Sequence, residues 1–148
     1  MKNDVFNSVF ENMLRVLLLS EVLGKPANSD RIAALDFISI FGKKFEVLGS
    51  NLHGDNDFGF SEYTDKRNKV SEALKLAVKN GFIEATNTGD GFAYAITSRG
   101  KQVVDASRSP YSTAYASGAS VVCERFESTS DDKLLKFITG KAVESKGV

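Results

Sequence analysis

His53 and Cys123 are the chain's one histidine and one cysteine, the residue types that most readily serve as general base, thiolate nucleophile or soft-metal ligand. They lie far apart in sequence. A nucleophile needs a positioned base and usually a third, orienting group, and no such partner is marked out. His53 stands near Asp55 and Asp57, residue types that ligate metals, but a solvated Gly/Asp loop accounts for the stretch more simply. The run Asp55-Asn56-Asp57-Phe58-Gly59 opens like a calcium loop and then fails: the fifth and twelfth positions fall on Gly59 and Lys66, and neither is an anionic ligand. Gly89-Asp90-Gly91 precedes a strand pattern rather than a helix N-terminus, so it is no phosphate cradle. Cys123, beside Val122 on an otherwise apolar helix, reads as an inert, partly buried thiol. The expectation is a protein with no catalytic residues, no cofactor and no metal.

Cations are the other side chains that could do chemistry. Lys66, Arg67, Lys69, Lys75 and Lys79 fall in one helical stretch, and Lys66, Arg67, Lys69 and Lys75 are candidate DNA contacts. Asp65 and Glu72 share that stretch, however. The following turn, Asn87-Thr88-Gly89-Asp90, has no Arg or Lys where a minor-groove reader usually carries one. Lys+Arg and Asp+Glu are both 19, for a formal net charge of zero. Phosphate contacts supply much of the affinity of a nucleic-acid binder, so neutrality favours an interaction module over a stand-alone DNA-binding protein.

The elements that would position these residues follow from apolar spacing. Phe10, Met13, Leu14, Leu17 and Leu18 keep the helical period, Val16 and Leu19 widen the stripe, and Arg15 is the lone charge upon it. Ser8 and Glu11 have capping-box spacing, and Gly24 with Pro26 stops the helix. Asn28 or Ser29 caps a second helix carrying Ile32, Leu35, Phe37, Ile38 and Phe41. Asp36 lies within it, and an aspartate there is ordinarily solvated. From Gly42 to Gly59 the pattern is irregular, with Leu48, Leu52, Phe58 and Phe60 as anchors; such a long loop is often functional. A third helix runs from about Thr64, capped by Thr64 or Ser61, with Val70, Ala73, Leu74, Ala77 and Val78 on one face. It ends at Asn80-Gly81. Phe82–Thr86 and Phe92–Ile96 then form a hairpin, and Thr97 or Ser98 caps a further helix.

Helix, Asn80-Gly81-Phe82-Ile83, hairpin and Thr97-Ser98-Arg99-Gly100 together make the pattern of a winged helix-turn-helix. Beyond it, Pro110 opens a helix carrying Tyr111, Tyr115, Val122 and Phe126. Its small residues Ala114, Gly118 and Ala119 would admit a neighbouring helix, and Ser130 caps a last helix with Asp131 and Asp132 at its start. The predicted fold class is mainly α with a small β-hairpin (α+β): a winged helix-turn-helix core with extra N-terminal and C-terminal helices. Residues 1–108 would be the winged-helix domain, with its wing at about 81–97. Residues 109–148 would be a C-terminal helical extension, either part of the same domain or a docking arm. No apolar run reaches the length of a membrane span and the N-terminus has no signal-peptide pattern, so the expected location is the cytoplasm.

Taken in order, these landmarks resemble a known family. They are Phe6-Asn7-Ser8 with Glu11 and Leu14-Arg15; Leu35-Asp36-Phe37; Asn51-Leu52-His53; Glu62 through Lys66-Arg67 to Val70 and Leu74; Asn80-Gly81-Phe82-Ile83; Ser109-Pro110-Tyr111; Val122 through Arg125-Phe126; and Asp131-Asp132. The set resembles the middle component 2 family of ABC three-component systems, and the related small subunit of Lamassu-type defence systems, which pair an SMC-like ATPase with a toxic effector. The resemblance implies a non-enzymatic adaptor linking an SMC-like ABC ATPase to an effector, often a nuclease, encoded in the same operon, with anti-phage or anti-plasmid defence as the output. DNA would be reached through the complex. The alternative is a winged-helix transcription regulator. Candidate interface residues are Phe6, Asn7, Arg15, Asp36, His53, Arg67, Pro110, Tyr111 and Tyr115. Arg15, on the most apolar helix, suits an internal salt bridge better than an interface, and Tyr111 suits packing back on the core.

Overall fold

The computed structural model describes residues 8–49, Leu52 and residues 60–147. Phe6, Asn7, His53 and Phe58 lie outside the described residues.

The chain order is α1 (Val9–Leu23), β1 (Ala27–Asn28), α2 (Ser29–Ile40), α3 (Phe60–Lys79), β2 (Ile83–Asn87), β3 (Phe92–Ile96), α4 (Ser98–Ala106), α5 (Pro110–Arg125) and α6 (Asp131–Gly147). It is a mainly helical α+β fold with one small antiparallel sheet in the order β1-β3-β2.

The helix ends are set by local chemistry. Ser8 Oγ accepts the Glu11 amide at 3.0 Å, and Gly24, at φ 67, donates to the Ser20 carbonyl; the left-handed turn that stops α1 needs a residue without a Cβ. Asn28 Oδ1 accepts the Arg31 amide at 2.8 Å to start α2. Thr97 caps α4 through the Gly100 amide, and Ser130 caps α6 through the Lys133 amide. Ser109 and Ser112 cap each other at the start of α5, where Pro110 takes a position that needs no N–H donor.

Asn28 and Ala27 have a second job that periodicity missed. As β1 they pair with β3, Ala27 opposite Tyr94 and Asn28 opposite Ala93. Two residues are too few to show an alternation. The hairpin runs in the register Ile83↔Ile96 to Asn87↔Phe92. Its turn closes with the Thr88 amide donating to the Gly91 carbonyl at 2.8 Å.

α3 begins at Phe60, a turn before the expected Thr64. Val70, Ala73, Leu74 and Ala77 are buried as expected, whereas Val78 is 37% exposed at the rim. α2 departs most from expectation. Every residue from Ile32 to Ile40 is buried, Asp36 and Ser39 included, because α1, α3, α5 and α6 all pack against it. Asp36, read as solvated, has no face of its helix open to water.

The irregular stretch after α2 is anchored by a residue the sequence reading passed over. Phe45 is 2% exposed. Its ring meets Phe37 at 6.0 Å and Phe137 at 5.3 Å, and Phe137 meets Phe126 at 5.2 Å. Phe37 also packs on Phe41 at 4.9 Å and Tyr63 at 5.2 Å. This aromatic chain joins α2, the loop, α3, α5 and α6. Leu48 and Leu52 are partly buried against the same core, as expected of them.

Candidate functional site

Among the described residues, a buried polar constellation is built on α1, α2 and α5. Arg15 and Asp36 form an ion pair, Nε to Oδ1 at 3.2 Å, with both side chains 1% exposed. The Tyr115 hydroxyl donates to the same Oδ1 at 2.7 Å. Arg15 Nη1 donates to the Tyr111 hydroxyl at 3.3 Å, and Nη2 donates to Asn12 Oδ1. Asp36 Oδ2 is buried without a hydrogen-bond partner. The spacing explains the convergence. Asn12 and Arg15 are one helical turn apart on α1, and Tyr111 and Tyr115 one turn apart on α5, so each pair presents from one face.

The electrostatics of the cluster suit a permanent charge pair. Burial works against the Arg15 guanidinium, but Asp36 and the two tyrosine oxygens outweigh it and hold its pKa above the ordinary value. Burial, reinforced by the Asp36 carboxylate, pushes the Tyr115 phenol well up. Burial also drives Tyr111 up to about 12, against the pull of Arg15. Neither the guanidinium nor either phenol is poised to exchange a proton near neutrality. What the cluster can do is hold three helices in one arrangement. Replacing one partner of such a pair strands a buried charge.

Lys66, on α3, joins the same neighbourhood. It is 5% exposed. Burial lowers its pKa, Arg15 lowers it further, and Asp36 opposes the shift. Its inward placement removes it from the side chains a surface phosphate could reach. Of the other DNA-contact candidates, Arg67 pairs with Asp30 at 3.0 Å and Lys69 with Asp65 at 3.2 Å, while Lys75 is exposed. Such exposed pairs contribute little stability.

A second polar junction was not foreseen. Arg31, in the first turn of α2, donates to the Phe126 carbonyl at 2.6 Å, the Thr129 carbonyl at 2.8 Å and Asp131 Oδ1 at 2.9 Å. Asn28 Nδ2 donates to Asp131 Oδ2 at 2.7 Å. Desolvation raises the Asp131 pKa, but Asn28 and Arg31 more than reverse this and hold it below the usual value. The α5–α6 turn is thereby clasped to the start of α2. A cation in a first helical turn looks solvated in sequence, and its acceptors lie about a hundred residues away, so nothing local signals the contact.

The sequence candidates thus separate. Arg15, Asp36, Tyr111 and Tyr115 come together; Arg67 is on the surface of α3 and Pro110 is exposed at the start of α5. Cys123 is half-buried, and burial pushes its thiol up to about 11, a poor nucleophile at neutral pH. Among the described residues, no group of three or more His, Cys, Asp or Glu side chains could hold a metal ion. No helix among them is long and apolar enough to cross a membrane.

The family model ABC-three component (ABC-3C) system Middle Component 2 matches residues 5–147. The chain belongs to that family. No curated protein and no solved structure matches it. As a Middle Component 2 chain it is one component of a multi-component system, which implies partner subunits. Its buried Arg15–Asp36–Tyr115 cluster and its Arg31 clasp lie well inside the matched span.

Proposed function

We propose that this chain is a non-enzymatic adaptor in a bacterial defence complex of the Lamassu kind, joining an SMC-like ABC ATPase to a toxic effector, often a nuclease, in the cytoplasm. The observation that carries the reading is the family match across residues 5–147. Two features support it. Among the described residues, the buried polar groups fasten helices to one another and carry no nucleophile–base pair. The formal net charge is zero, which suits a protein that meets DNA through its partners.

The order α1, β1, α2, α3 and then the β2–β3 hairpin supports reading the first part of the chain as a winged helix, with the hairpin as its wing. The tip of that wing, Asn87 to Asp90, is uncharged except for Asp90, which favours protein over nucleic acid as its contact.

Co-expression with the two neighbouring genes, followed by affinity purification and sizing, tests the adaptor role. A stable complex containing the ATPase is the expected result. A chain that stays alone and instead shifts its own upstream DNA at low salt, with the shift lost on charge reversal at Lys69 and Lys75, would replace the adaptor with a transcription regulator.

A further inference from the structure

The fold buries Tyr63 and leaves its hydroxyl unused. The residue is 2% exposed, and its ring packs edge-on against Phe37 at 5.2 Å. Among the described residues, the hydroxyl has no hydrogen-bond partner, which is uncommon for a polar group so placed. Burial raises its pKa, and Arg67 and Asp30 are the charges that act on it, so it keeps its proton and can donate. Tyr63 and Arg67 are one turn apart on α3 and share a face. Both line a cleft of about 250 Å³ between α2, α3 and α6, together with Asp30 and Arg31. Phe37 holds the ring on the core side, so the hydroxyl end points into that cleft. It differs in this from Ser20 Oγ and Asp36 Oδ2, which are enclosed.

The cleft has donors to offer, while its carboxylates are already answered. Arg67 uses Nε on Asp30 Oδ1 at 3.0 Å, and among the described residues its two Nη groups have no partner. Asp131 accepts from Arg31 at Oδ1 and from Asn28 at Oδ2. Asp132 pairs with Lys136 at 3.3 Å. Each carboxylate at the cleft thus has its own cation. The first turns of α2 and α6 both border it, where helix amides lend partial positive charge. Ala34, Leu134 and Leu135 add an apolar wall, and Leu135, 40% exposed, carries it to the surface. We propose that this cleft binds a carboxylate with a short apolar stem: the Tyr63 hydroxyl and the Arg67 Nη groups donate to the carboxylate oxygens, and the stem lies along Ala34, Leu134 and Leu135. A guanidinium is the side chain best shaped to hold a carboxylate through paired donors. A free aliphatic acid and a glutamate side chain of another protein both offer that group.

The test titrates the full chain with sodium butyrate at constant ionic strength, read by amide shifts in nitrogen-15 spectra. Saturable shifts are expected in residues 30–34, 63–67 and 131–135, with a dissociation constant of about 1–10 mM, which is what so small a ligand sustains. Tyr63→Phe keeps the ring on Phe37 and removes only the donor. Arg67→Gln breaks an exposed pair that contributes little stability. Each weakens butyrate by about tenfold or more, the size of one hydrogen bond to a charged group. Lys75→Gln removes an exposed cation further along α3 and leaves the constant unchanged. Equal weakening by all three variants would mean diffuse charge attraction and would overturn the proposal. The absence of any saturable shift would overturn it as well.

Three further ligands fix the chemistry and its source. Butyramide, the uncharged isostere, binds about tenfold more weakly or worse if the carboxylate charge is what the donors hold. If n-butylammonium shifts these residues and butyrate does not, the cleft is a cation site and the proposal is wrong. N-acetylglutamic acid α-amide presents the same group as a glutamate side chain does. Binding comparable to that of butyrate makes a partner's glutamate a fitting guest, and binding of butyrate alone makes the guest a free acid; either result upholds a carboxylate site. None of these titrations requires a partner subunit, so their failure is separable from failure of the adaptor reading.

Discussion

Asp36 is paired through one oxygen and stranded at the other, so removing its charge and removing the whole pair are different perturbations. Asp36→Ala leaves the Arg15 guanidinium buried and uncompensated, and costs about 3–5 kcal/mol, whereas Arg15→Met combined with Asp36→Leu costs far less than the sum of the single changes. Urea midpoints for the two single variants and the double variant check this; additive losses would mean the pair acts as two independent packing groups.

The tyrosines make a second test at the same scale. Below pH 10 the phenols are neutral in both the folded and unfolded chain. Between the ordinary value of 10.0 and the folded value of about 12 for Tyr111, the unfolded chain releases a proton that the folded one keeps, so stability falls as pH rises through that window. Tyr115 acts in the same direction. Denaturant midpoints at pH 8, 10 and 11.5 should fall in that order, and the Tyr111→Phe, Tyr115→Phe double variant should flatten the drop.

At the scale of elements, the attachment of the C-terminal helices turns on Arg31. Its guanidinium satisfies carbonyls at the end of α5 and the start of α6 and pairs with Asp131. Arg31→Ala leaves these acceptors without their donor, at about 1–3 kcal/mol. The loosening should be local, with faster amide exchange around residues 126–134 and little change in α1. Uniform acceleration over the whole chain would show the clasp to be dispensable to the turn. Gly100 is a second junction between elements. A Cβ there would overlap the Phe82 carbonyl, so α4 lies against the α3–β2 turn at a distance only glycine permits.

Across the whole molecule, the aromatic chain through Phe37, Phe45, Phe126 and Phe137 runs from the N-terminal helices to the last one. Phe45 sits in the middle of it, on a stretch without regular secondary structure. Phe45→Ala should cost about 3–5 kcal/mol and lower the thermal midpoint for probes in α1 and α6 alike. If only the C-terminal helices melted early, the core would be two separable halves. The same packing explains why α2 is hidden on every side from Ile32 to Ile40, and why residues 109 onward contribute Tyr115, Val122 and Leu134 to the buried interior.

Local chemistry, written in a few adjacent residues, determined the helices, their caps and the hairpin. Ser8, Gly24, Asn28, Thr97, Ser109 and Ser130 each act on a backbone group within a turn of themselves, and apolar positions repeating at helical spacing need no distant partner to be read. Membership of the family was also carried by the order of such landmarks. The tertiary structure decided the rest, because it turned on which distant groups meet. Asp36 looked solvated until α1, α3, α5 and α6 enclosed its helix. Lys66 looked like a surface cation until the packing of α3 placed it in the interior. Arg31 and Asp131 are joined across about a hundred residues, and two-residue β1 exists only because β3 lies beside it. A buried charge is defined by what surrounds it, and that is a property of the packed chain rather than of any stretch of it.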